Sequence, residues 1–238
     1  MTKVTSLPAD DSTCGWFHLS RPRQSKPSHS GSTNARWVIV GAGFTGLAAA
    51  RQLAQRFPND PVVLVEAQEV GFGSSGRNAG FAIDLPHGQQ LNDGLPVMRR
   101  HMRLARSAID HLQQQVDNHQ IDCQWSPRGQ YHGAVSAHAY RNEIEPFARV
   151  LDDLGEPCHL LNRQQLTQEI GTSYYHGALY APGTFLMNPA ALVRGLADSL
   201  PENVILCENS AVTHAVYGEG IELVTAKGRV TAKRLVLG

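Results

Sequence analysis

The feature that most constrains the fold is a strand–turn–helix–strand pattern between Trp37 and Glu66. An apolar run (Trp-Val-Ile-Val) is followed by Gly-Ala-Gly-Phe-Thr-Gly, by a segment with apolar residues every three or four positions, and by a second apolar run. The spacing in the middle segment predicts an amphipathic helix, and the flanking runs predict buried parallel strands. This order of elements is typical of the first unit of an α/β fold.

The turn between the first strand and the helix contains Gly41, Gly43 and Gly46 at G-x-G-x-x-G spacing. In this pattern the first glycine permits a tight turn, the second lets the backbone approach a pyrophosphate, and the third lets helix and strand pack closely. Amide groups at the helix N-terminus then face the phosphates. Glu66 can bind both hydroxyls of an adenosine ribose and would repel the 2′-phosphate of NADP. The pattern predicts a dinucleotide site; the alternative is a glycine-rich turn that binds nothing.

A second glycine-rich loop follows at residues 71–80, with the sequence Gly-Phe-Gly-Ser-Ser-Gly-Arg-Asn-Ala-Gly. A plain NAD-binding domain normally continues here into another strand and helix. This loop can instead offer amides, hydroxyls and a guanidinium to a pyrophosphate. The alternative interpretation is a flexible surface turn.

Composition excludes several classes of function. The 238 residues include 21 basic and 21 acidic side chains, so net charge gives no reason to bind nucleic acid or an anionic membrane. No apolar run approaches the length of a membrane span. The four cysteines and eleven histidines show no metal-ligand or redox spacing, so no metal site is predicted. Reduced thiols in a cytoplasmic protein are the default expectation.

The chain divides into three parts by composition. Residues 1–35 are rich in Ser, Pro, Thr and Asp, which predicts a loosely ordered segment, in which residues 14–17 either dock on the body or stay in a free tail. We predict a discontinuous dinucleotide-binding domain over 36–90 and 188–238, its last part a meander of three strands. Residues 91–187 would form an inserted α+β segment, part of a substrate domain. A basic helical face there is either solvated or attracts an anionic substrate; it contains Arg99, Arg103 and Arg106.

Three stretches, GAGFTGLAAARQL, VVLVEA and VGFGSSGRNAGFAIDLPH, resemble the FAD-dependent amine and amino-acid oxidoreductases of the D-amino-acid oxidase type. The SGRN-x-G variant is most similar to the gamma-glutamylputrescine oxidase branch. The resemblance runs from about Ala35 to the C-terminus and is strongest over residues 37–87. It implies FAD as the cofactor and a Rossmann-like FAD/NAD(P)-binding domain.

The same resemblance implies site residues by position. The implied FAD contacts are Gly41, Ala42, Gly43, Phe44, Thr45, Gly46, Glu66, Ala67, Ser75, Gly76, Arg77, Asn78 and Val212. The backbone of Val212 would pair with the adenine edge. Asp84 and His87 would face the flavin and the substrate, although both could simply cap a turn at Pro86. No catalytic residue is assigned.

The implied reaction is oxidation of the C–N bond of an amine or amino acid by hydride transfer to flavin N5, which gives an imine that hydrolyses. The expected partner is a small-molecule substrate. One alternative is an NAD-linked dehydrogenase, which Glu66 permits. Another is a truncated, inactive relative with a partial FAD site, because an apolar strand ends at Gly238 where it would meet the cofactor.

Overall fold

The computed structural model describes residues 2–8, 13–86 and 93–238. Its strands are β1 (Thr2–Lys3), β2 (Gly31–Val40), β3 (Val62–Val65), β4 (Phe81–Ala82), β5 (Ser126–Pro127), β6 (Gln130–Ala134), β7 (His159–Asn162), β8 (Gly177–Ala181), β9 (Phe185–Leu186), β10 (Val204–Cys207), β11 (His214–Tyr217), β12 (Ile221–Thr225) and β13 (Gly228–Leu237). Its helices are α1 (Gly15–Leu19), α2 (Phe44–Arg56), α3 (Ser74–Arg77), α4 (Leu95–Asn118), α5 (Ala137–Ala139), α6 (Glu145–Leu154), α7 (Arg163–Ile170) and α8 (Pro189–Asp198). A π-helical turn, Tyr140–Ile144, joins α5 to α6. Within these ranges, every helix is too short or too polar to cross a membrane.

The first compact unit contains the residues up to Ala79, Gln115–Cys123 and Asn188–Gly238. Its seven-stranded sheet has the order β1-β11-β12-β13-β2-β3-β10. The four strands from β13 to β10 are parallel, whereas β11, β12 and β13 form an antiparallel meander to which β1 adds. All four side chains of Val62–Val65 are buried, as expected for a parallel strand covered on both faces.

Helix α2 follows β2 and packs its apolar face against the sheet. Leu47, Ala50 and Ala54 are buried, at the three- and four-residue spacing seen in the sequence. The helix ends at Arg56. Phe57 then leaves the helical region, with φ −131° and ψ 67°, because the residue before a proline disfavours helical geometry.

Helix α8 begins where the sequence predicts a helix start. The side chain of Asn188 accepts a hydrogen bond from the Ala191 N–H, and Pro189 occupies the first turn. The cap satisfies one of the amides that a helix leaves unpaired at its N-terminus, and Pro has no N–H to leave unpaired there. This prediction is confirmed.

The second compact unit contains Gly80–Gln114 and Gln124–Met187. It has two three-stranded antiparallel sheets, β4-β9-β5 and β6-β8-β7. One apolar cluster of the unit joins helices α4 and α6 to the second of these sheets, and its members are Leu85, Met98, Met102, Ala134, Ile144, Phe147, Leu151, Leu154, Leu179 and Ala181. The unit is thus a mixture of helices with antiparallel strands.

The predicted fold class, an α/β Rossmann-like domain with an α+β portion, is confirmed by the parallel strands and the glycine-rich turn into α2. The predicted three-strand meander at the C-terminus is also confirmed. The compact units divide at Ala79 rather than at residue 90, because β4 pairs with β9 of the second unit. Gln115–Cys123 also belongs to the first unit. The assignment of functional domains to these segments stays a proposal.

The segment 1–35, for which the sequence predicts loose order, has defined structure where it is described. It contains α1, and β2 already begins at Gly31, which is the register partner of Gly228 on β13. Arg23 forms ion pairs with Asp198 and the fully buried Glu208. Charges, backbone pairing and the docking of residues 14–17, which the sequence left open, attach this segment where it is described.

Candidate functional site

The first glycine-rich turn (residues 41–46) joins β2 to α2. Gly41 has a φ of +97°, in the left-handed region that favours glycine. A Cβ on Gly46 would collide with the Gly41 carbonyl oxygen, so glycine is needed for α2 to approach β2 this closely. Gly43 is the N-cap of α2 and provides no side-chain cap. The helix therefore begins with amide groups that its own cap residue leaves open.

Two amides at this turn have protein acceptors. Ala42 N–H donates to Glu66 Oε2 at 2.7 Å, and Phe44 N–H donates to Ser75 Oγ at 3.1 Å. Within the described ranges, the N–H groups of Gly43 and Thr45 have no hydrogen-bond acceptor. Amides at a helix N-terminus, together with the positive end of the helix dipole, favour a negatively charged ligand.

Glu66 lies directly after β3, where its backbone is held on both sides. Its N–H donates to Cys207 O, and its carbonyl accepts from Ser210 N–H. Its carboxylate turns towards the first glycine-rich turn, accepting from Ala42 N–H and, at 3.0 Å, from Gln68 N–H. A carboxylate has about four acceptor positions, so two such bonds leave capacity for ligand hydroxyls. The predicted contact with an adenosine ribose stays a prediction.

The second glycine-rich turn (residues 71–78) repeats the geometry of the first. Gly71, Gly73 and Gly76 have the same G-x-G-x-x-G spacing, and Gly71 has a φ of +95°. Gly73 caps α3 with φ −78° and ψ −172°, against −76° and −176° at Gly43. A Cβ on Gly76 would collide with the Gly71 carbonyl oxygen, just as one on Gly46 would collide with that of Gly41. The repeated spacing is visible in the sequence, and it could have predicted Gly71, Gly73 and Ser74 as candidate site residues.

The two turns face each other across one cavity of about 260 Å³. The hydroxyl of Ser75 reaches from the second turn to the first, and a Cβ on Gly43 would lie 2.8 Å from Ser75 Oγ. The lining consists almost entirely of glycine, small side chains and backbone: residues 41–45, Glu66, Gly71, residues 73–75 and Gly238. The structure therefore brings together seven of the predicted FAD contacts, namely Gly41, Ala42, Gly43, Phe44, Thr45, Glu66 and Ser75.

The other predicted contacts do not line this cavity: Gly46, Ala67, Gly76, Arg77, Asn78 and Val212. Arg77 Nε donates to Phe72 O at 2.7 Å, and its guanidinium lies 5.3 Å from the ring centre of Phe17. Asn78 Nδ2 donates to Ser75 O at 2.8 Å. Val212 packs against the apolar core of the sheet. The side chains of Arg77 and Asn78 thus support the second turn itself.

Asp84 is in the second unit, and only 4% of it is exposed. Its Oδ2 accepts from Arg106 Nε and Nη2, both at 3.0 Å, and Arg106 also binds Glu156 at 2.6 Å. Hydrogen bonds to Glu156 and Asp84 raise the pKa of Arg106 above its ordinary value. Arg106 on the predicted basic face is therefore part of a structural ion-pair cluster, in which Asp84 is held. His87 lies outside the described residues.

Arg99 on the same helical face is also used within the second unit. Its guanidinium donates to Leu154 O and Asp153 O, both at 2.7 Å, at the C-terminal end of α6. A cation at the end of a helix satisfies carbonyls that have no partner within the helix. Arg99 and Arg106, two of the three arginines on this face, thus bind other protein groups and are not simply solvated.

Known proteins share both the family and the fold of this chain. Residues 36–238 match the model of a family described as FAD dependent oxidoreductase. A probable oxidoreductase OrdL of Rhizobium meliloti is 30% identical over 93% of this chain and 53% of its own length. The gamma-glutamylputrescine oxidoreductase of Escherichia coli is 28% identical over 84% of this chain and 47% of its own length. The chain spans about half the length of the curated relatives it matches.

Solved structures show the same fold. Glycine oxidase from Geobacillus kaustophilus has a TM-score of 0.72 at 21% identity, over 87% of this chain and 55% of that protein. L-amino acid deaminase from Proteus myxofaciens has a TM-score of 0.70 at 17% identity, over 92% of this chain and 48% of that protein. At these identities the likeness supports the fold alone, and the chemistry of the site depends on the residues of this chain.

Proposed function

Since the chain belongs to the FAD dependent oxidoreductase (DAO) family, we propose that the cavity between its two glycine-rich turns holds the diphosphate of FAD. The family predicted from the sequence is confirmed, and FAD is the cofactor of that family. The matching region runs from residue 36 to residue 238 and includes both turns. The cavity is therefore formed entirely by residues of the family domain.

The observation that supports this proposal most directly is the pair of geometrically equivalent turns around one cavity lined by glycine and backbone. The amides of Gly43 and Thr45 are donors for a diphosphate, and the Phe44 amide becomes one when Ser75 Oγ rotates away. Glu66 then lies at the adenosine end, where its remaining lone pairs can accept the ribose hydroxyls. Side chains larger than serine at this contact would fill the space that the diphosphate needs.

We propose that the whole protein oxidises the C–N bond of an amine or amino acid. The relatives named glycine oxidase, L-amino acid deaminase and gamma-glutamylputrescine oxidoreductase support this substrate class. When bound, FAD would supply the redox chemistry, as the acceptor of a hydride from the carbon that bears the nitrogen. In this proposal the chain contributes binding and orientation: the two turns hold the diphosphate, and the second compact unit forms part of the substrate domain.

The first test is FAD binding by the purified protein, measured by quenching of flavin fluorescence, with Gly43→Ala as the decisive variant. We expect the wild-type protein to bind FAD. The methyl group of the variant should weaken binding at least about a hundredfold, because it meets Ser75 and occupies the path of the diphosphate. Gly218→Ala is the matched control, since a Cβ there meets nothing within 4 Å. Unchanged binding by Gly43→Ala would refute the site.

The two alternatives from the sequence are separated by further measurements. An NAD-linked dehydrogenase would be protected from thermal unfolding by NAD but not by FAD, whereas we expect the reverse. An inactive relative would bind FAD without any amine or amino acid bleaching the flavin absorption. Amine-dependent bleaching supports the enzyme, and its absence across a broad screen supports the inactive relative.

A further inference from the structure

Residues 14–20, here called the N-terminal clip, lie against the second glycine-rich turn. Trp16 Nε1 donates to Asn78 O at 2.9 Å, and Cys14 Sγ lies 3.7 Å from Gly76 O as a donor. The ring of Phe17 stacks on that of Phe72, with 4.7 Å between centres. The clip precedes residue 36, where the match to the family begins. It is therefore an attachment that the family match does not include.

The second turn needs such support because its own helix is minimal. Helix α3 has four residues, and its N-cap Gly73 makes no side-chain hydrogen bond. A helix this short is marginal in water, and the glycines around it have much conformational entropy to lose. Its C-terminal carbonyls lack intrahelical partners. Two carbonyls of this region, those of Gly76 and Asn78, accept from the clip.

The clip is itself attached to rigid parts of the first unit. Asn188 Nδ2 donates to Trp16 O at 3.3 Å and to Ser20 Oγ at 3.2 Å. The guanidinium of Arg194, on α8, lies 4.6 Å from the centre of the Phe17 ring. Asn188 is the cap of α8, so both contacts fix the clip relative to one helix. The clip thus connects the second turn to α8 and restrains the turn's movement relative to that helix.

A second attachment holds the start of the same turn. Glu208, which is fully buried, accepts from Val70 N–H at 2.6 Å, from Arg23 Nη1 at 2.8 Å and from Lys26 N–H at 2.6 Å. Arg194 Nε donates to Val70 O at 3.3 Å. The N-terminal segment therefore holds the second turn at its beginning, through Glu208, and at its end, through the clip.

We infer that Trp16 and Phe17 are positioning residues for the cofactor: they hold the second turn in the conformation that binds the diphosphate. This inference rests on the proposed function. The two residues act through Asn78 and Phe72 rather than by touching the cofactor. A turn that is already ordered loses less entropy on binding, so its preorganisation appears as tighter FAD binding.

The test compares Trp16→Phe, which removes the indole N–H and replaces the indole by a smaller aromatic ring, with Phe17→Leu, which removes the stacking. We expect FAD to bind about tenfold more weakly to Phe17→Leu and about threefold more weakly to Trp16→Phe. Phe17→Tyr retains the ring and should restore wild-type affinity. Leu19→Ala is the control, because Leu19 is in the same short helix and 64% exposed.

Hydrogen exchange of the FAD-free protein separates positioning from general stability. We expect the clip variants to exchange faster at residues 71–78 and unchanged at residues 41–46. Faster exchange at both turns, or FAD affinity equal to that of the wild type, would overturn the inference. Wild-type protein that takes up no FAD would instead refute the proposed function, and the inference with it, before any variant is compared.

Discussion

The two glycine-rich turns have nearly the same backbone, with a φ of +97° at Gly41 and +95° at Gly71, and the same extended cap residue before a helix. They differ in the length of that helix. The first turn leads into the thirteen residues of α2, whereas the second leads into the four residues of α3. A long helix packed on a sheet holds the first turn by local structure. The second turn is held by residues from distant parts of the chain.

This difference shows that a turn's sequence specifies its shape without guaranteeing its stability. The glycines permit the same path in both places, because each occupies the same steric position. The first path persists because Leu47, Ala50 and Ala54 bury α2. The second depends on Glu208 and on the N-terminal clip. Variants that weaken the support of one turn and spare that of the other test this difference.

Glu208→Gln should give the largest effect. The amide cannot satisfy both Arg23 and the two backbone N–H groups, and it leaves a nearly buried guanidinium without its main carboxylate. We expect the free energy of unfolding to fall by about 3 kcal/mol. Chemical denaturation measures the loss, and hydrogen exchange should locate it at the second turn. Asp198→Asn is the control, since Asp198 is 46% exposed and should cost less than about 1 kcal/mol. Equal losses would contradict the role of Glu208.

Gly46→Ala and Gly76→Ala test the two turns at equivalent positions. Each Cβ would collide with a backbone carbonyl, but relief in the first turn requires α2 to move off the sheet, whereas α3 can shift locally. We expect a loss of about 3 kcal/mol for Gly46→Ala and about 1.5 kcal/mol for Gly76→Ala in thermal or chemical unfolding. Gly73→Ala, where a Cβ meets nothing within 4 Å, is the control. A larger loss for Gly76→Ala would reverse the comparison.

Ser75→Ala removes the direct link between the turns. Phe44 N–H loses its acceptor, Ser75 Oγ, but a water molecule in the cavity can accept in its place. The free energy of unfolding should therefore fall by only about 1 kcal/mol. FAD affinity should change only a few-fold, because a phosphate oxygen can accept from the same N–H. Titration and thermal unfolding measure the two effects. Ser74→Ala, with an exposed side chain in the same helix, should be close to neutral for stability; a similar loss there would argue against the link.

The smallest effect concerns pH and the N-terminal segment. Burial lowers the pKa of His29 below its ordinary value of 6.5, so the folded protein holds the imidazole neutral. The unfolded chain then binds the proton more readily, and stability is lost as pH falls from the ordinary pKa towards the lower folded one. Unfolding measured at about pH 7.5 and about pH 5 should show a smaller acid loss in His29→Gln than in the wild type. His18→Gln, at an exposed position, should behave as the wild type.

Much of the fold and part of the site could be predicted from local patterns. The apolar runs and the glycine spacing predict β2, α2 and β3, and the alternation after residue 210 predicts the meander. The family resemblance predicts the first turn and Ser75 as candidate site residues, and these line one cavity in the structure. The sequence also allows the second turn to be predicted as equivalent to the first, because Gly71, Gly73 and Gly76 repeat the G-x-G-x-x-G spacing. These features depend only on residues that are close in sequence, so the sequence alone is enough to predict them.

Other features could not be predicted, since they depend on partners that the sequence does not identify. Nothing in the sequence around Asp84 indicates that its partner is Arg106, 22 residues away. The basic face of α4 does not show that its arginines bind the end of α6. The first 35 residues are poor in apolar side chains, and their attachment comes from charges, backbone pairing and the aromatic contacts of Trp16 and Phe17.

Spacing within short stretches of the sequence is enough to predict the family, the parallel strands and a glycine-rich turn suited to a diphosphate. The contacts that hold the second turn are visible only in the folded chain. The pairing of Arg23 with Glu208 spans 185 residues, and that of Trp16 with Asn78 spans 62. The pair of Arg23 and Glu208 forms because folding brings the two charges together in a water-poor interior, where an unpaired charge is costly.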